Sequence, residues 1–143
     1  MMVVKQMADA GRLAYVDTSV LIAASGGEAL SEWALSALWG NILVSSALAR
    51  VELARFAHRT DYGERHLREM EAGVSFVKVD DQAIAAAIAV SGEVKALDAI
   101  HVGTWARLQT VGMDCPFITA DRKQASAAAG AGAQVLHPFG ELD

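Results

Sequence analysis

The chain alternates short runs of β-type residues with longer runs in which apolar residues recur at helical spacing. Strands are predicted over residues 13–16, 42–44, 74–79, 117–119 and 134–136. A helix is expected soon after the first strand and is predicted over residues 28–38, and further helices are predicted over residues 46–58, 61–72, 81–90, 96–108 and 122–129. Alternating β and α units of this length predict an α/β fold, a three-layer sandwich in which helices flank a central, mainly parallel sheet.

The organisation of the chain indicates one domain over residues 1–143. No Pro-rich or Ser/Gly-rich linker and no internal repeat divides it. A 53% apolar and 20% charged composition is enough to build a core. The sequence shows no export signal and no membrane span, so we predict a cytoplasmic protein. A single cysteine, Cys115, excludes an internal disulfide framework and a multi-cysteine zinc site.

The net charge of -5 argues against a protein that holds nucleic acid on a large basic surface, because non-specific affinity comes mainly from neutralised phosphates. It leaves open a nuclease whose acidic centre meets phosphate through a divalent metal ion. No GxSxG, HExxH or GxGxxG motif is present.

Four acidic residues lie in otherwise apolar surroundings, namely Asp17, Glu52, Asp98 and Asp121. Each follows a predicted strand or lies near the start of a helix, and such residues gather at the carboxyl ends of parallel strands. They account for four of the five net negative charges. Clustered carboxylates repel one another unless a cation lies among them, and Mg²⁺ and Mn²⁺ prefer such oxygen ligands. The pattern is typical of metal-assisted hydrolysis of a phosphodiester.

Each of these residues can instead have a purely structural role. Asp17 and Asp121 are placed to cap helices. Glu52 can form an ion pair with Arg55 on an exposed helix face, and Asp98 can be held by a structural partner. His101, three residues after Asp98, can assist the site or be a hydrogen-bonded core histidine.

Two further groups of residues carry weaker expectations. The arginines of the second helical unit can form a basic patch that contacts RNA or a partner, or simply a solvated face; they include Arg50, Arg55 and Arg59. The three tryptophans are expected in the core or an interface rather than as base-stacking platforms; they are Trp33, Trp39 and Trp105. Together with the apolar surplus, they make a homodimer plausible.

Four segments in order resemble the motifs of the PIN-domain ribonucleases, specifically the VapC-type toxins of toxin-antitoxin pairs. VDTSVLIA surrounds Asp17, SSALARVELAR surrounds Glu52, LDAIHVGTWARL surrounds Asp98 and ITADRK surrounds Asp121. Each motif alone is weak, but the ordered set extends through nearly the whole chain.

The resemblance implies a PIN-like fold and an endoribonuclease that depends on Mg²⁺ or Mn²⁺ and is inhibited by a cognate VapB-like antitoxin. Its catalytic and metal-binding residues would be Asp17, Glu52, Asp98 and Asp121. Neighbouring hydroxyls would orient these carboxylates as hydrogen-bond donors; they belong to Thr18, Ser19 and Thr119. The arginines would contact the RNA substrate or the antitoxin.

Two different functions compete with this interpretation. A phosphoacceptor module of the receiver type is also an α/β domain with clustered aspartates, and Asp80-Asp81 after a strand superficially suits it. That fold usually needs an acidic pair after its first strand, where this chain has Asp17-Thr18-Ser19. A catalytically silent PIN-like scaffold that binds RNA or a partner is disfavoured by the intact acidic quartet.

Overall fold

The computed structural model describes residues 12–26 and 29–142, and within them the chain forms five strands and seven helices. The strands are β1 (Arg12–Val16), β2 (Asn41–Ser46), β3 (Val74–Val77), β4 (Phe117–Ile118) and β5 (Val135–Leu136). The helices are α1 (Thr18–Ser25), α2 (Ser31–Leu38), α3 (Leu48–Arg59), α4 (Glu64–Glu71), α5 (Asp81–Ile88), α6 (Ala96–Thr110) and α7 (Arg122–Gly130).

The strands form a single sheet in which every pairing is parallel and the order is β3-β2-β1-β4-β5. The central strand is β1, where Tyr15 lies opposite Val44 of β2 and Phe117 of β4. Parallel neighbours need crossover connections, and the helices supply them. The predicted α/β architecture with a mainly parallel sheet is confirmed.

Side chains that alternate along the strands build a core on each face of the sheet. Ala14 and Val16 of β1 point to one core, which α1, α2, α3 and α4 cover with residues such as Val20 and Leu53. Tyr15 points to the opposite core, where Val102 of α6 joins residues of α7. Strands buried on both faces are characteristic of parallel sheets. The result is the three-layer sandwich that the sequence predicts.

Helices α5 and α6 pack unusually closely at a glycine. A Cβ atom built on Gly103 would lie 2.5 Å from the backbone nitrogen of Ala87 and 2.6 Å from the carbonyl oxygen of Ala83. Only hydrogen atoms fit between backbones at such a separation. This contact fixes α6, the helix that carries Asp98 and His101, against the outer helix α5.

Element boundaries differ from the sequence-based expectations in a few places. Between β1 and β2 the chain forms two helices, α1 and α2; the second begins at Ser31, and the expected start at Glu28 lies outside the described residues. Helix α1 is apolar on almost every side, so it lacks the period that marks an amphipathic helix. Ser45 and Ser46 complete β2, although Leu48 N still donates to Ser46 Oγ at 3.0 Å.

The three tryptophans occupy different environments. Trp105 is buried and donates from Nε1 to the carbonyl oxygen of Cys115 at 2.8 Å, and Trp33 is partly buried against the first core. Trp39 is 84% exposed at the turn between α2 and β2. None of the helices in the described part of the chain is long and apolar enough to cross a membrane.

Candidate active site

The order of the sheet creates a crevice where β1 and β4 are neighbours. The chain proceeds from β1 through β2 to β3 on one side and adds β4 and β5 on the other, so the direction of winding changes at this pair. Connections that leave adjacent strands in opposite directions open a crevice at their carboxyl ends. Asp17 directly follows β1 and Thr119 directly follows β4, which places polar side chains there.

One cavity of about 200 Å³ at this edge brings all four acidic residues of the sequence analysis together. It is lined by Asp17, Thr18, Ser19, Ile22, Glu52, Arg59, Asp98, His101 and Asp121. A larger cavity of about 490 Å³ is lined by residues 91–94 and parts of α7 and contains a single carboxylate, that of Glu93. Carboxylate chemistry is therefore concentrated in the smaller cavity.

Two hydroxyls and two backbone amides fix the carboxylate of Asp17. Ser19 Oγ accepts from Ala120 N at 2.9 Å and donates to Asp17 Oδ1 at 2.5 Å. Thr119 Oγ1 accepts from Asp121 N at 3.1 Å and donates to Asp17 Oδ2 at 2.5 Å. Because each hydroxyl receives a backbone hydrogen bond, its own hydrogen is directed at the carboxylate.

Asp17 is 3% exposed, and its electrostatic environment opposes ionisation on balance. Burial raises the pKa of the Asp17 carboxyl, and the charge of Asp121 adds to the rise. The charge of His101 and the hydrogen bonds from Ser19 and Thr119 lower this pKa without cancelling the effect of burial. A cation in the cavity would favour the ionised form.

Glu52, on α3, is held by two donors at one oxygen. Thr18 Oγ1 donates to Glu52 Oε1 at 2.7 Å, and His101 Nε2 lies 2.7 Å from the same oxygen. Burial acts to raise the pKa of Glu52, but the hydrogen bond and charge of His101 and the hydrogen bond from Thr18 outweigh it, so the pKa is lowered. The carboxylate of Glu52 is thus held ionised.

Asp98 lies in the first turn of α6 and is the least compensated carboxylate of the cavity. Its side chain forms no hydrogen bond or salt bridge with any residue in the described ranges 12–26 and 29–142. Burial raises its pKa, as do the charges of Asp121 and Glu52, and the opposite effects of His101 and Lys95 do not cancel this rise. A carboxylate in a cavity whose pKa is raised by burial and by neighbouring charges is a candidate functional residue.

Asp121 is exposed at the start of α7, where it both caps the helix and lines the cavity. Its Oδ1 accepts from Gln124 N at 2.9 Å. The capping role expected for this residue is therefore present, and the second oxygen is left over for further contacts. Asp17 occupies the equivalent position before α1, but its side chain makes no capping hydrogen bond.

The structural roles considered for Glu52, Asp98 and His101 have clear outcomes. Glu52 pairs with Thr18 and His101 rather than Arg55. No structural partner for Asp98 exists among the described residues. His101 is 1% exposed and satisfied by hydrogen bonds, as expected for a core histidine, and it also contacts the acidic cluster.

The three arginines singled out in the sequence lie in different places on α3. Arg59, at its last residue, lines the acidic cavity. Arg50 forms an exposed ion pair with Glu71 at 3.3 Å, and Arg55 is exposed. Arg59 alone of the three therefore adjoins the carboxylates.

The sequence of this chain matches a known family of protein domains. The model of the PIN domain family matches residues 14–130, which include all four carboxylates, most of β1 and the whole of β2, β3 and β4. The chain belongs to the PIN domain family. PIN domains are generally nucleases and typically use divalent metal ions. The receiver-type interpretation is thereby wrong.

The fold of this PIN domain also matches a solved structure described as a toxin-antitoxin complex from Klebsiella pneumoniae. The TM-score is 0.66 and the identity 23%, over 90% of this chain and 99% of the other. At this identity the likeness establishes the fold. The search of curated proteins found no match.

The donor set of this PIN domain fits a hard divalent cation in its chemistry. Four carboxylates line one cavity, and one of them, Asp98, has no partner among the described residues. Burial and, after it, the charge of Asp121 raise the pKa values of Asp17 and Asp98. In the ranges that the structure describes, no three His, Cys, Asp or Glu side chains are grouped tightly enough to form a metal cluster as they stand. The fit to a cation therefore rests on the chemistry of the side chains that line the cavity.

Sequence reasoning did not single out Tyr15, whose hydroxyl lies 2.7 Å from His101 Nδ1. Its phenol ring is completely buried and stacks on Phe117 at a centroid distance of 5.1 Å. The available signal was a hydroxyl-bearing side chain two residues before Asp17 within an apolar strand. Such a group must find a hydrogen-bond partner in the core.

Proposed function

We propose that this PIN domain is a metal-dependent endoribonuclease of the VapC type, the toxin of a toxin-antitoxin pair. The observation that carries the proposal is the convergence of Asp17, Glu52, Asp98 and Asp121 on one cavity at the carboxyl ends of β1 and β4. The hydroxyls of Thr18 and Ser19, which line the cavity, donate to the carboxylates of Glu52 and Asp17, which supports a role in holding ligands rather than as nucleophiles.

In this proposal the four carboxylates hold Mg²⁺ or Mn²⁺. When bound, the cation supplies an activated water and a counter-charge for the phosphate. Ser19 and Thr119 keep both oxygens of Asp17 in fixed positions. Holding ligands in place before the cation arrives lowers the cost of assembling the site.

Arg59 is the residue we assign to the phosphate of the RNA. It lies at the rim of the acidic cavity, where a guanidinium can donate two parallel hydrogen bonds to phosphate oxygens. The more distant Arg50 and Arg55 are exposed on the same helix and would contact RNA or antitoxin outside the cavity. RNA recognition by shape would then use the surface around the cavity.

The proposed protein partner is a VapB-like antitoxin. The similarity of fold to a chain of a toxin-antitoxin complex supports this proposal. A C-terminal antitoxin segment that places an Arg or Lys among the uncompensated carboxylates would block the cation site. Co-expression with the neighbouring reading frame should yield a stable complex, and failure to recover one would count against this partner.

A second copy of the chain is also a proposed partner. Leu35, Trp39 and Ile42 are exposed around the turn between α2 and β2, and exposed apolar groups of this size favour association. Sedimentation of the wild type at twice the monomer mass, with Trp39→Ser reduced to a monomer, is the expected result. A monomeric wild type would contradict it.

The decisive experiment is cleavage of a mixed pool of structured RNAs by antitoxin-free protein. Discrete cuts are expected with Mg²⁺ or Mn²⁺, none with EDTA, and none with Asp17→Asn or Asp98→Asn. Asp114→Asn is the matched control, because Asp114 is an exposed aspartate outside the acidic cavity. Cuts that persist in EDTA would exclude the metal-dependent mechanism.

A catalytically silent scaffold would give a different result in the same experiment. A folded protein that retains RNA in a binding assay but produces no cuts, and that shows no heat of Mn²⁺ binding by titration calorimetry, would be a binding module. The uncompensated carboxylate of Asp98 is the observation against this outcome, because binding alone does not need a repulsive acidic cluster.

A further inference from the structure

We propose that His101, held by Tyr15, is a positioning residue that fixes Glu52 so that one carboxylate oxygen is left for the cation. The inference rests on the proposed function, because it gives Glu52 a defined geometry in the same site. It adds a group that the acidic quartet does not include.

A continuous hydrogen-bonded chain connects the core to the cavity. The Tyr15 hydroxyl lies 2.7 Å from His101 Nδ1, and His101 Nε2 lies 2.7 Å from Glu52 Oε1. Tyr15 is fully buried and His101 is 1% exposed, whereas the side chain of Glu52 is 23% exposed. This series of hydrogen bonds therefore joins β1, α6 and α3, and it extends from the core to the wall of the cavity.

The partners determine where the imidazole carries its hydrogen. An ionised carboxylate only accepts hydrogen bonds, so the hydrogen between His101 and Glu52 belongs to Nε2. When the imidazole is neutral it has one N–H group, which leaves Nδ1 as an acceptor for the hydroxyl of Tyr15, whereas in the charged imidazole both nitrogens donate. The hydroxyl of Tyr15, a phenol with an ordinary pKa of about 10, carries a hydrogen at neutral pH that it can donate to Nδ1.

The two oxygens of Glu52 are thereby made different. Oε1 receives hydrogen bonds from Thr18 Oγ1 and His101 Nε2, both at 2.7 Å. Among the described residues, nothing donates to Oε2. Because Glu52 lines the acidic cavity, Oε2 is the oxygen that would remain available to a cation.

Packing makes this arrangement rigid at its buried end. The ring of Tyr15 stacks on Phe117 with an interplanar angle of 21° and meets the ring of His101 edge-on at 5.9 Å between centroids. A carboxylate on a flexible glutamate loses rotamer freedom when it binds a metal. Because His101 already holds Glu52, part of this rotamer freedom is lost before a cation arrives. The remaining entropic cost of binding the cation is therefore smaller.

The tautomer can be tested without metal or RNA. In ¹⁵N-labelled protein free of metal, recorded at a pH where the imidazole is neutral, the His101 side chain should show a protonated Nε2 and an unprotonated Nδ1. Tyr15→Phe should perturb the Nδ1 signal and keep the other three histidines as in the wild type. A His101 ring protonated on Nδ1 would overturn the proposal.

The positioning role can be tested by Mn²⁺ titration calorimetry and cleavage kinetics. We expect His101→Leu to weaken Mn²⁺ affinity about tenfold and to lower kcat with little change in KM for RNA. His101→Gln should recover most of the affinity, because its terminal amide again offers an N–H to Glu52. The control is Leu108→Ala, a buried position of α6 away from the cavity.

The outcomes separate this inference from the function on which it rests. Wild-type affinity in His101→Leu, or equal losses in His101→Leu, His101→Gln and Leu108→Ala, would overturn the positioning role and leave the nuclease intact. A wild type that neither binds Mn²⁺ nor cleaves RNA would overturn both, since Glu52 would then have no cation to receive.

Discussion

The carboxylate of Asp98 illustrates the conflict between stability and function in this cavity. It has no partner in the described part of the chain, and burial and the charges of Asp121 and Glu52 raise its pKa. A group with a raised pKa in the folded state binds its proton more tightly there than in the unfolded chain. Ionisation of Asp98 therefore destabilises the metal-free fold.

We predict that Asp98→Asn stabilises the metal-free protein while abolishing cleavage. At pH values between about 4, the ordinary aspartate pKa, and the raised pKa of the folded protein, Asp98 keeps its proton in the folded state and has lost it in the unfolded state. The stability of the wild type therefore falls as pH rises through this range. The gain from Asn should be largest at neutral pH and should vanish near pH 4. Thermal denaturation in EDTA across this range measures it, and an equal or lower melting temperature at pH 7 would contradict it.

Thr119 is hydrogen-bonded both to Asp17 and to the backbone of Asp121. We therefore predict that Thr119→Val lowers both the affinity for Mn²⁺ and the stability of the fold. The substitution keeps the shape but removes the donor to Asp17 and the acceptor for Asp121 N. We expect about a tenfold loss in Mn²⁺ affinity and about 1–3 kcal/mol in the free energy of unfolding. Calorimetry and urea denaturation measure these quantities.

The matched control for this prediction is Thr60→Val. The Thr60 hydroxyl is exposed and donates only to the carbonyl oxygen of Phe56. If Thr60→Val weakened Mn²⁺ binding as much as Thr119→Val, the effect would not come from the contact with Asp17.

At this scale the sequence predicts which acidic residues meet but not how they are held. Apolar flanks and positions after strands point to the four carboxylates that line one cavity. The sequence predicts the same role for Thr18 as for Ser19 and Thr119, that of a hydrogen-bond donor to the carboxylates. Thr18 donates to Glu52, 34 residues away, rather than to its neighbour Asp17. Hydrogen-bond partners depend on the relative placement of α1 and α3, which local sequence does not contain.

The position of helix α6 depends on its close contact with α5 at Gly103. Glycine in a helix interior normally costs about 1 kcal/mol relative to alanine, so Gly103→Ala would ordinarily stabilise. Here the added methyl would meet backbone atoms of Ala83 and Ala87. We predict a net loss of about 1–3 kcal/mol from the clash, measured by urea denaturation, together with reduced cleavage because α6 carries Asp98 and His101.

Gly130→Ala separates this steric effect from helix propensity. Gly130 is the last residue of α7, and a Cβ there would have no atom within 4 Å. We expect this variant to be neutral or slightly stabilised. A Gly103→Ala protein as stable as Gly130→Ala would show that the two helices can separate without cost.

A long run of helix-forming residues was predictable, whereas the boundary between two short helices was not. The run predicts α6 over 96–108, although its apolar residues show almost no helical period, and the helix extends two residues further to Thr110. Helix α1 buries Thr18, Val20, Leu21 and Ala23, so nearly every side is apolar and its separation from α2 could not be predicted. Burial on several sides is a tertiary effect that removes the periodic signal.

For the molecule as a whole, the site depends on the winding of the sheet. Asp17 and Asp121 are 104 positions apart and meet because β1 and β4 are neighbours. The sequence predicts a parallel sheet, since its strands alternate with helices. Strand order is not predictable from that pattern, because several orders satisfy it, and the order β3-β2-β1-β4-β5 is known from the structure.

Because the carboxylates come from four distant segments, cation binding should stabilise the entire fold. A ligand that binds only the folded state adds about 2.7 kcal/mol at a concentration one hundred times its Kd. In this protein burial and, after it, the charges of neighbouring carboxylates raise the pKa of Asp17 and Asp98, and the cation would favour the ionised form of both. We therefore predict that Mn²⁺ raises the melting temperature of the wild type at pH 7.5 and that the increase diminishes toward pH 5.

The control variants determine whether this stabilisation belongs to the acidic cavity. Asp17→Asn should lose the Mn²⁺-dependent increase, whereas Asp114→Asn, outside the cavity, should keep it. Calcium in place of manganese tests whether charge alone is sufficient, because a larger ion with longer oxygen distances still neutralises the carboxylates. Equal stabilisation of Asp17→Asn and the wild type by Mn²⁺ would place the binding site elsewhere on the molecule and would remove the basis for a metal-dependent nuclease.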